Sequence, residues 1–71
     1  MSPDKMVHMA NQIAGFFASQ PRGEAGALVA AHLNDFWEPR MRAQLLAHAE
    51  AGGEGLAPAV LAAIPLLRPA R

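Results

Sequence analysis

The chain has 71 residues, which is enough for one small domain. It contains no cysteine, so neither a disulfide nor a thiolate metal site can stabilise it. Six basic and six acidic residues cancel, and a neutral chain lacks the positive charge typical of nucleic-acid binders. We therefore expect no nucleic-acid partner. No signal peptide and no membrane-spanning run is visible, so we expect no membrane contact and a cytoplasmic location.

The apolar content of the chain overstates the size of its core. Apolar residues make up 52% of the sequence, but sixteen of them are alanines and only 21 are large. A domain of this size, with no disulfide or metal, is expected to be only marginally stable alone. We infer that the chain works bound to a larger partner.

The periodicity predicts an all-α fold: a small bundle of three helices, then a short C-terminal helix and an extended tail. No segment alternates with the period of two that a half-buried strand requires. We expect one domain over residues 1–71. The predicted helices cover residues 3–18, 24–37, 39–51 and 57–64.

The first helix has a clear start and a wide apolar arc. Ser2 is placed as the N-cap and Pro3 as the first helical residue. The apolar arc covers about half of the helix circumference and includes Met9, Ile13 and Phe17. Two interpretations remain open: the helix is the core helix of a tiny bundle, or one edge of its arc is a docking surface.

The second helix is predicted to bury one face. The residues of that face are Leu28, Val29, His32, Leu33 and Phe36. Gly26 weakens this helix by about 1 kcal/mol relative to alanine, unless close packing needs the space. We expect His32 to be a partly buried, hydrogen-bonded residue and His48 to lie at the solvent edge, neither of them as a metal ligand.

The stretch Asn34–Arg42 predicts a corner between the second and third helices. It contains Trp37, the only tryptophan, and Pro39, which ends one helix and suits the first position of the next. Arg40 and Arg42 fall in the first turn of the third helix, where the helix dipole disfavours cations. A local ion pair with Glu38 or contacts with carboxylates or carbonyls of a partner would each account for them.

Glycine and proline residues punctuate the last third of the chain. A turn rich in glycine, 52–55, ends the third helix, and Pro58 lies in the first turn of the fourth. Pro65 and Pro69 are predicted to end regular structure and to present Leu66 and Leu67 on a tail as a second contact point. The candidate interface residues are Met9, Ile13, Phe17, Phe36, Trp37, Arg40, Arg42, Leu66 and Leu67.

The residues that catalysis would need are missing or scattered. There is no cysteine nucleophile, and the two serines, Ser2 and Ser19, lie at the terminus and in a loop. The three histidines fall on separate helices, and the acids show no paired arrangement. We therefore expect no catalytic, cofactor-binding or metal-binding residue in this chain.

Three strings of the sequence carry a resemblance to a known family. They are MVHMANQIAGFF (6–17), AHLNDFWEPRMR (31–42) and GGEGLAPAV (52–60). Together they resemble the delta subunit of soluble NAD-dependent formate dehydrogenases, and the similarity extends from about Lys5 to Leu67. The string FWEPRMR at the corner is its most specific part.

The resemblance implies a non-catalytic accessory subunit of an enzyme that oxidises formate to carbon dioxide and reduces NAD⁺. In such enzymes the large alpha subunit holds a molybdenum or tungsten bis-pterin guanine dinucleotide cofactor and iron–sulfur clusters. The beta and gamma subunits carry FMN and further clusters. The delta subunit carries no cofactor. It binds the large subunit and supports assembly, stability, or cofactor insertion or retention. Two alternatives stay open: a transient maturation chaperone for the same enzyme, or an unrelated small helical interaction module.

Overall fold

The fold consists of four α-helices and one short 3₁₀ turn, in a computed structural model that describes residues 2–68. The α-helices are α1 (Pro3–Phe16), α2 (Arg22–Phe36), α3 (Pro39–Glu50) and α4 (Pro58–Ala63), and the 3₁₀ turn is Ile64–Leu66. No strand occurs within residues 2–68, and the all-α prediction is confirmed. The predicted tail beyond Arg68 lies outside the described residues.

The start of α1 follows the sequence signals directly. The Ser2 hydroxyl accepts a hydrogen bond from the Lys5 amide at 3.3 Å, and Pro3 occupies the first turn. The helix ends at Phe16, two residues earlier than predicted. Beyond it the chain tightens into turns, in which the Phe17 amide donates to the Ala14 carbonyl at 3.1 Å.

The corner between α2 and α3 forms where it was predicted. Trp37 and Glu38 adopt extended backbone conformations, and α3 begins at Pro39. Trp37 is only 7% exposed, so its indole is part of the interior of the domain. Although α2 and α3 are consecutive, α2 packs chiefly against α4, while α3 packs against α1. The corner therefore directs α3 away from α2 and across the bundle.

The α2–α4 contact is the most extensive between the described helices, and it depends on a glycine. A Cβ atom added to Gly26 would lie 2.7 Å from the Ala62 Cβ atom and 3.2 Å from the Ala62 carbonyl carbon. Such a separation is well below a carbon–carbon contact, so only glycine allows α2 to approach α4 this closely. The short fourth helix is thus a central packing element, with Val60 and Ala63 fully buried. The sequence predicted this helix only as a short C-terminal addition to a three-helix bundle, whereas in the structure it is part of the core.

One proline prediction was wrong in detail. Pro65 was expected to end regular structure, but it lies within the 3₁₀ turn that continues from α4. A proline is compatible with the first positions of a helical turn, where its missing N–H is not needed. The chain becomes extended only at Leu67.

A single apolar core joins all four α-helices. Its buried members are Met6, Ala10, Ile13, Ala14, Val29, Ala30, Leu33, Trp37, Leu45, Leu56, Val60, Ala63 and Leu67. Four of these thirteen residues are alanines, which fits the composition. Small side chains let short helices approach closely, and this compensates in part for the small number of large ones.

Two asparagines connect distant parts of the chain through both ends of their side-chain amides. Asn11 on α1 donates to the Gly55 carbonyl at 2.9 Å and accepts from the Ala57 amide at 2.8 Å. Asn34 on α2 donates to the Leu66 carbonyl at 3.2 Å and accepts from the Arg68 amide at 2.8 Å. These bonds fix the segment before α4 and the segment after the 3₁₀ turn.

The turn between α3 and α4 satisfies the backbone groups that the helix end leaves free. The Gly52 amide donates to the Ala49 carbonyl at 3.1 Å, and the Gly53 amide donates to the His48 carbonyl at 2.9 Å. This pair of bonds is the Schellman pattern of a helix C-terminus. Its positive φ angles, 125° at Gly52 and 65° at Gly53, favour glycine at both positions.

Candidate functional site

Within residues 2–68, five large apolar side chains remain exposed. They are Phe16, Leu28, Phe36, Leu61 and Leu66. Phe16 is 79% exposed and Phe36 is 73% exposed, so two of the three phenylalanines keep most of their surface in water. Single exposed apolar residues are ordinary on soluble proteins, but exposed aromatic rings on so small a domain indicate an interaction surface.

Three residues on one side of α2 form a ridge in which Leu28 and Phe36 are exposed and His32 is half-buried. Leu28, His32 and Phe36 are spaced four residues apart, which places them one above another along the helix. The His32 and Phe36 rings are in contact, with centroids 4.8 Å apart and planes tilted by 40°. We call these three residues the α2 ridge.

The α2 ridge corrects the face predicted for this helix. The sequence placed Leu28 and Phe36 on one buried face with Val29 and Leu33. Only Val29 and Leu33 are fully buried, while Leu28 and Phe36 are exposed. The buried face of α2 is rotated toward Gly26, because α4 packs on that side.

Arg42 lies inside the corner and does not project outward. Its side chain is 8% exposed, and its Nη1 atom donates to the Trp37 carbonyl at 2.7 Å. Its Nε atom makes a longer contact of 3.5 Å with the Arg68 carbonyl. Trp37 caps the C-terminus of α2, where free carbonyls and the helix dipole favour a cation. The Arg42 guanidinium is therefore unfavourable at the N-terminus of α3 but favourable at the C-terminus of α2.

The proposed ion pair between Glu38 and the corner arginines does not form in the described part of the chain. Glu38 is exposed and makes no side-chain cap for α3. Arg40 is exposed as well. The sequence-based expectation of two outward-pointing arginines thus holds for Arg40 and was wrong for Arg42.

The structure divides the nine candidate interface residues into three groups. The exposed residues are Phe36, Arg40 and Leu66. Two residues are half-buried and pack against the core, Met9 and Phe17. The buried residues are Ile13, Trp37, Arg42 and Leu67. The buried group belongs to the interior of this domain, so the accessible part of the predicted surface is smaller. The predicted set did not include Phe16, Leu28 and Leu61, all three of which are exposed.

Two of the histidines make local contacts within the domain. The His48 Nε2 atom donates to the Glu54 carbonyl at 2.8 Å, which is a structural bond across the glycine turn. His32 is half-buried against Phe36. Within residues 2–68 no three histidine, aspartate or glutamate side chains are grouped to hold a metal ion. None of the described helices has the length and apolar content to cross a membrane.

An open cleft of about 340 Å³ lies between α1, α2 and the start of α4. It is lined mainly by alanines and by Gly15, and its polar lining is Asn11 and Gln20. Both ends of the Asn11 amide are already bonded to the backbone. The cleft therefore offers few polar groups to orient a ligand.

The comparison with protein families identifies the chain. The model of the NADH-dependent formate dehydrogenase delta subunit FdsD matches residues 5–64, which is most of the chain. The chain belongs to this family. No curated protein matches the sequence.

The FdsD match covers the whole helical framework. It begins in the first turn of α1 and ends at the first residue of the 3₁₀ turn. The α2 ridge and the corner lie inside the matched region, and so does Phe16. Of the five exposed apolar residues, four lie within the match and Leu66 lies just beyond it.

Proposed function

We propose that this chain is an accessory subunit that binds the large subunit of an NAD-dependent formate dehydrogenase. Membership of the delta subunit family supports this assignment. The structural observation that carries it is the α2 ridge, a largely apolar surface that ends in Phe36, a phenylalanine with 73% of its surface exposed. Aromatic residues are the commonest anchors of protein interfaces because they bury a large area with little loss of entropy.

In this proposal the chain provides a binding surface and stabilises the complex, while the other subunits bind the cofactors. We propose that the large alpha subunit holds a molybdenum or tungsten bis-pterin cofactor and iron–sulfur clusters. The beta and gamma subunits carry FMN and further clusters. The bound chain supports assembly of the large subunit, its stability, or insertion and retention of its cofactor. We place the complex in the cytoplasm.

Co-purification with a tag on this chain tests the assignment. The large subunit is expected to be recovered with the tagged chain. Recovery of the tagged chain without it, from cells that express both, would contradict the proposal. The molar ratio in active enzyme then separates two roles. A ratio near one is expected for a permanent subunit, whereas a transient maturation chaperone gives a much lower ratio and leaves an enzyme that stays active.

Substitution of the ridge tests the surface itself. Leu28→Gln with Phe36→Gln removes its apolar area without disturbing the core, so the free energy of unfolding is expected to change by less than about 1 kcal/mol. Binding to the large subunit is expected to weaken at least about tenfold, because truncation of anchor residues commonly costs more than about 1–2 kcal/mol. Leu61→Gln is the matched control, since Leu61 is an exposed leucine on α4. Unchanged binding by the double variant would exclude the α2 ridge.

A further inference from the structure

The outward side of α2 is apolar at its centre and acidic at both ends. Five exposed residues fall on this side of the helix: Glu24, Ala27, Leu28, Ala31 and Asp35. At about 100° per residue they span an arc of roughly 100°, on the side opposite the fully buried Leu33. We call these five residues the outer face of α2. It shares Leu28 with the α2 ridge, so the two surfaces are continuous.

The two acids of the outer face differ in what the domain itself explains. Glu24 lies in the first turn of α2, where the positive end of the helix dipole favours an acid. Asp35 lies in the last turn, where the dipole disfavours an acid, and α2 has no basic residue there. The Arg42 guanidinium at this end of α2 bonds to backbone carbonyl oxygens. Among the side chains that the structure describes, none pairs with the Asp35 carboxylate.

The charges of the outer face disfavour a second copy of this chain as its occupant. In a parallel pair of α2 helices, each acid would face the same acid of the other copy. In an antiparallel pair centred on this face, Glu24 would face Asp35. Both arrangements place like charges opposite each other, at the two ends of the apolar contact. A partner that covers the outer face must therefore supply positive charge at both ends.

The spacing of the outer face fits a second α-helix. Glu24, Leu28, Ala31 and Asp35 follow one another at intervals of four, three and four residues. Such a repeat forms the seam along which two helices pack at a small crossing angle. The alanines at positions 27 and 31 are small, so the backbone of a second helix can approach closely. The two acids are three turns apart, which is about 16 Å along the helix axis.

We propose that the outer face of α2 binds an amphipathic α-helix of the large subunit that carries lysine or arginine at both ends of its apolar stripe. This inference rests on the proposed function, because it states which kind of segment covers the surface beside the α2 ridge. One cation pairs with Glu24 and the other with Asp35, while Leu28 packs into the apolar stripe between them. Helices that cross at a small angle keep the same spacing, so the two cations lie about ten to twelve residues apart in the large subunit.

Neutralisation and reversal of the two acids test the inference. Kd for the purified large subunit is measured by biolayer interferometry at several salt concentrations. Glu24→Gln with Asp35→Asn is expected to raise Kd about three- to tenfold and to weaken its dependence on salt. Glu24→Lys with Asp35→Lys, the lysine pair, is expected to raise Kd by about thirtyfold or more, since it places like charges together.

Glu50→Gln is the matched control, because Glu50 is also an exposed acid in the last turn of a helix, α3. It is expected to leave Kd within about twofold of the native value. All the changed side chains are exposed, so the helical circular dichroism spectrum is expected to stay the same. If the lysine pair does not fold, the neutral double variant carries the test alone.

Photocross-linking identifies the segment that covers the face. Benzoylphenylalanine in place of Leu28 is expected to cross-link to a helix of the large subunit with two cations at the stated spacing. Changing those two cations to glutamate is expected to restore tight binding by the lysine pair. A cross-link to a second copy of this chain, to a segment without such cations, or to nothing would overturn the inference.

The outcomes separate this inference from the proposed function. If the native chain does not bind the large subunit, the proposed function fails and this contact fails with it. If the native chain binds and the acid variants bind as tightly as the native chain, the interface stands and only the contact with a basic amphipathic helix is overturned.

Discussion

Alanine substitutions at two helical glycines, Gly26 and Gly15, test whether the close contact between α2 and α4 limits the side chain that position 26 can hold. Gly26→Ala improves the intrinsic helix propensity of α2 by about 1 kcal/mol. The added methyl group would lie 2.7 Å from the Ala62 Cβ atom, about 1 Å closer than an ordinary carbon–carbon contact. The Ala62 carbonyl carbon and oxygen are also close, at 3.2 and 3.4 Å. Backbone atoms cannot rotate away, so α4 itself must move.

The magnitudes predict a net loss of stability. Overpacking of a well-packed core costs about 1–3 kcal/mol, and the backbone contact places this site in the upper half of that range. After the gain in propensity, we expect Gly26→Ala to lower the free energy of unfolding by about 1–2 kcal/mol. Gly15→Ala is the control, because nothing lies within 4 Å of its added Cβ atom. It is expected to raise the free energy of unfolding by about 0.5 kcal/mol, since Gly15 lies near the end of α1.

Urea unfolding followed by tryptophan fluorescence measures both variants. Trp37 is the only tryptophan and is buried, so its emission reports on the core. A fixed concentration of trimethylamine N-oxide keeps a native baseline for the weaker variant. Addition of Ala62→Gly to Gly26→Ala should recover part of the loss, because it removes the facing methyl group. Equal gains from Gly26→Ala and Gly15→Ala would refute the assignment of a close contact.

Two further predictions concern the corner. Trp37→Ala is expected to lower the free energy of unfolding by about 3–5 kcal/mol, because the indole is part of the core. Thermal melts followed by circular dichroism should then show loss of the cooperative transition. Arg42→Met removes the donor to the Trp37 carbonyl, and urea unfolding should show a loss of about 1–3 kcal/mol. Arg40→Gln should change stability by less than about 0.5 kcal/mol, and an equal effect of the two arginine substitutions would contradict the different positions we assign them.

Local sequence signals predicted where the helices lie, but only the structure shows how the helices pack against one another. Ser2 with Pro3 fixed the start of α1, and Pro39 placed the corner at the correct residue, because these residues act on the backbone next to them. The sequence did not predict which side of α2 is exposed. Apolar residues of α2 extend beyond the buried arc, and only the position of α4 decides which of them are covered.

The role of Arg42 was unpredictable for a similar reason. Its spacing in the sequence identifies a cation at an unfavourable helix end, but its partner is the carbonyl of Trp37 on the preceding helix. The relative direction of two helices determines whether such a contact forms. The exposed position of Arg40, two residues earlier, follows from the same geometry, because residues two apart lie on nearly opposite sides of a helix.

The paired hydrogen bonds of Asn11 and Asn34 have a consequence for the uniqueness of the fold. Surfaces rich in alanine are smooth, so short helices that pack through them can slide by a fraction of a turn with little change in energy. Each asparagine matches one carbonyl and one amide at fixed positions of a distant segment. A shift in alignment would break both bonds of an asparagine at once, and the part-buried Ala57 amide would lose its partner. These two side chains therefore disfavour shifted helix alignments, and so hold the proposed docking surface in one shape.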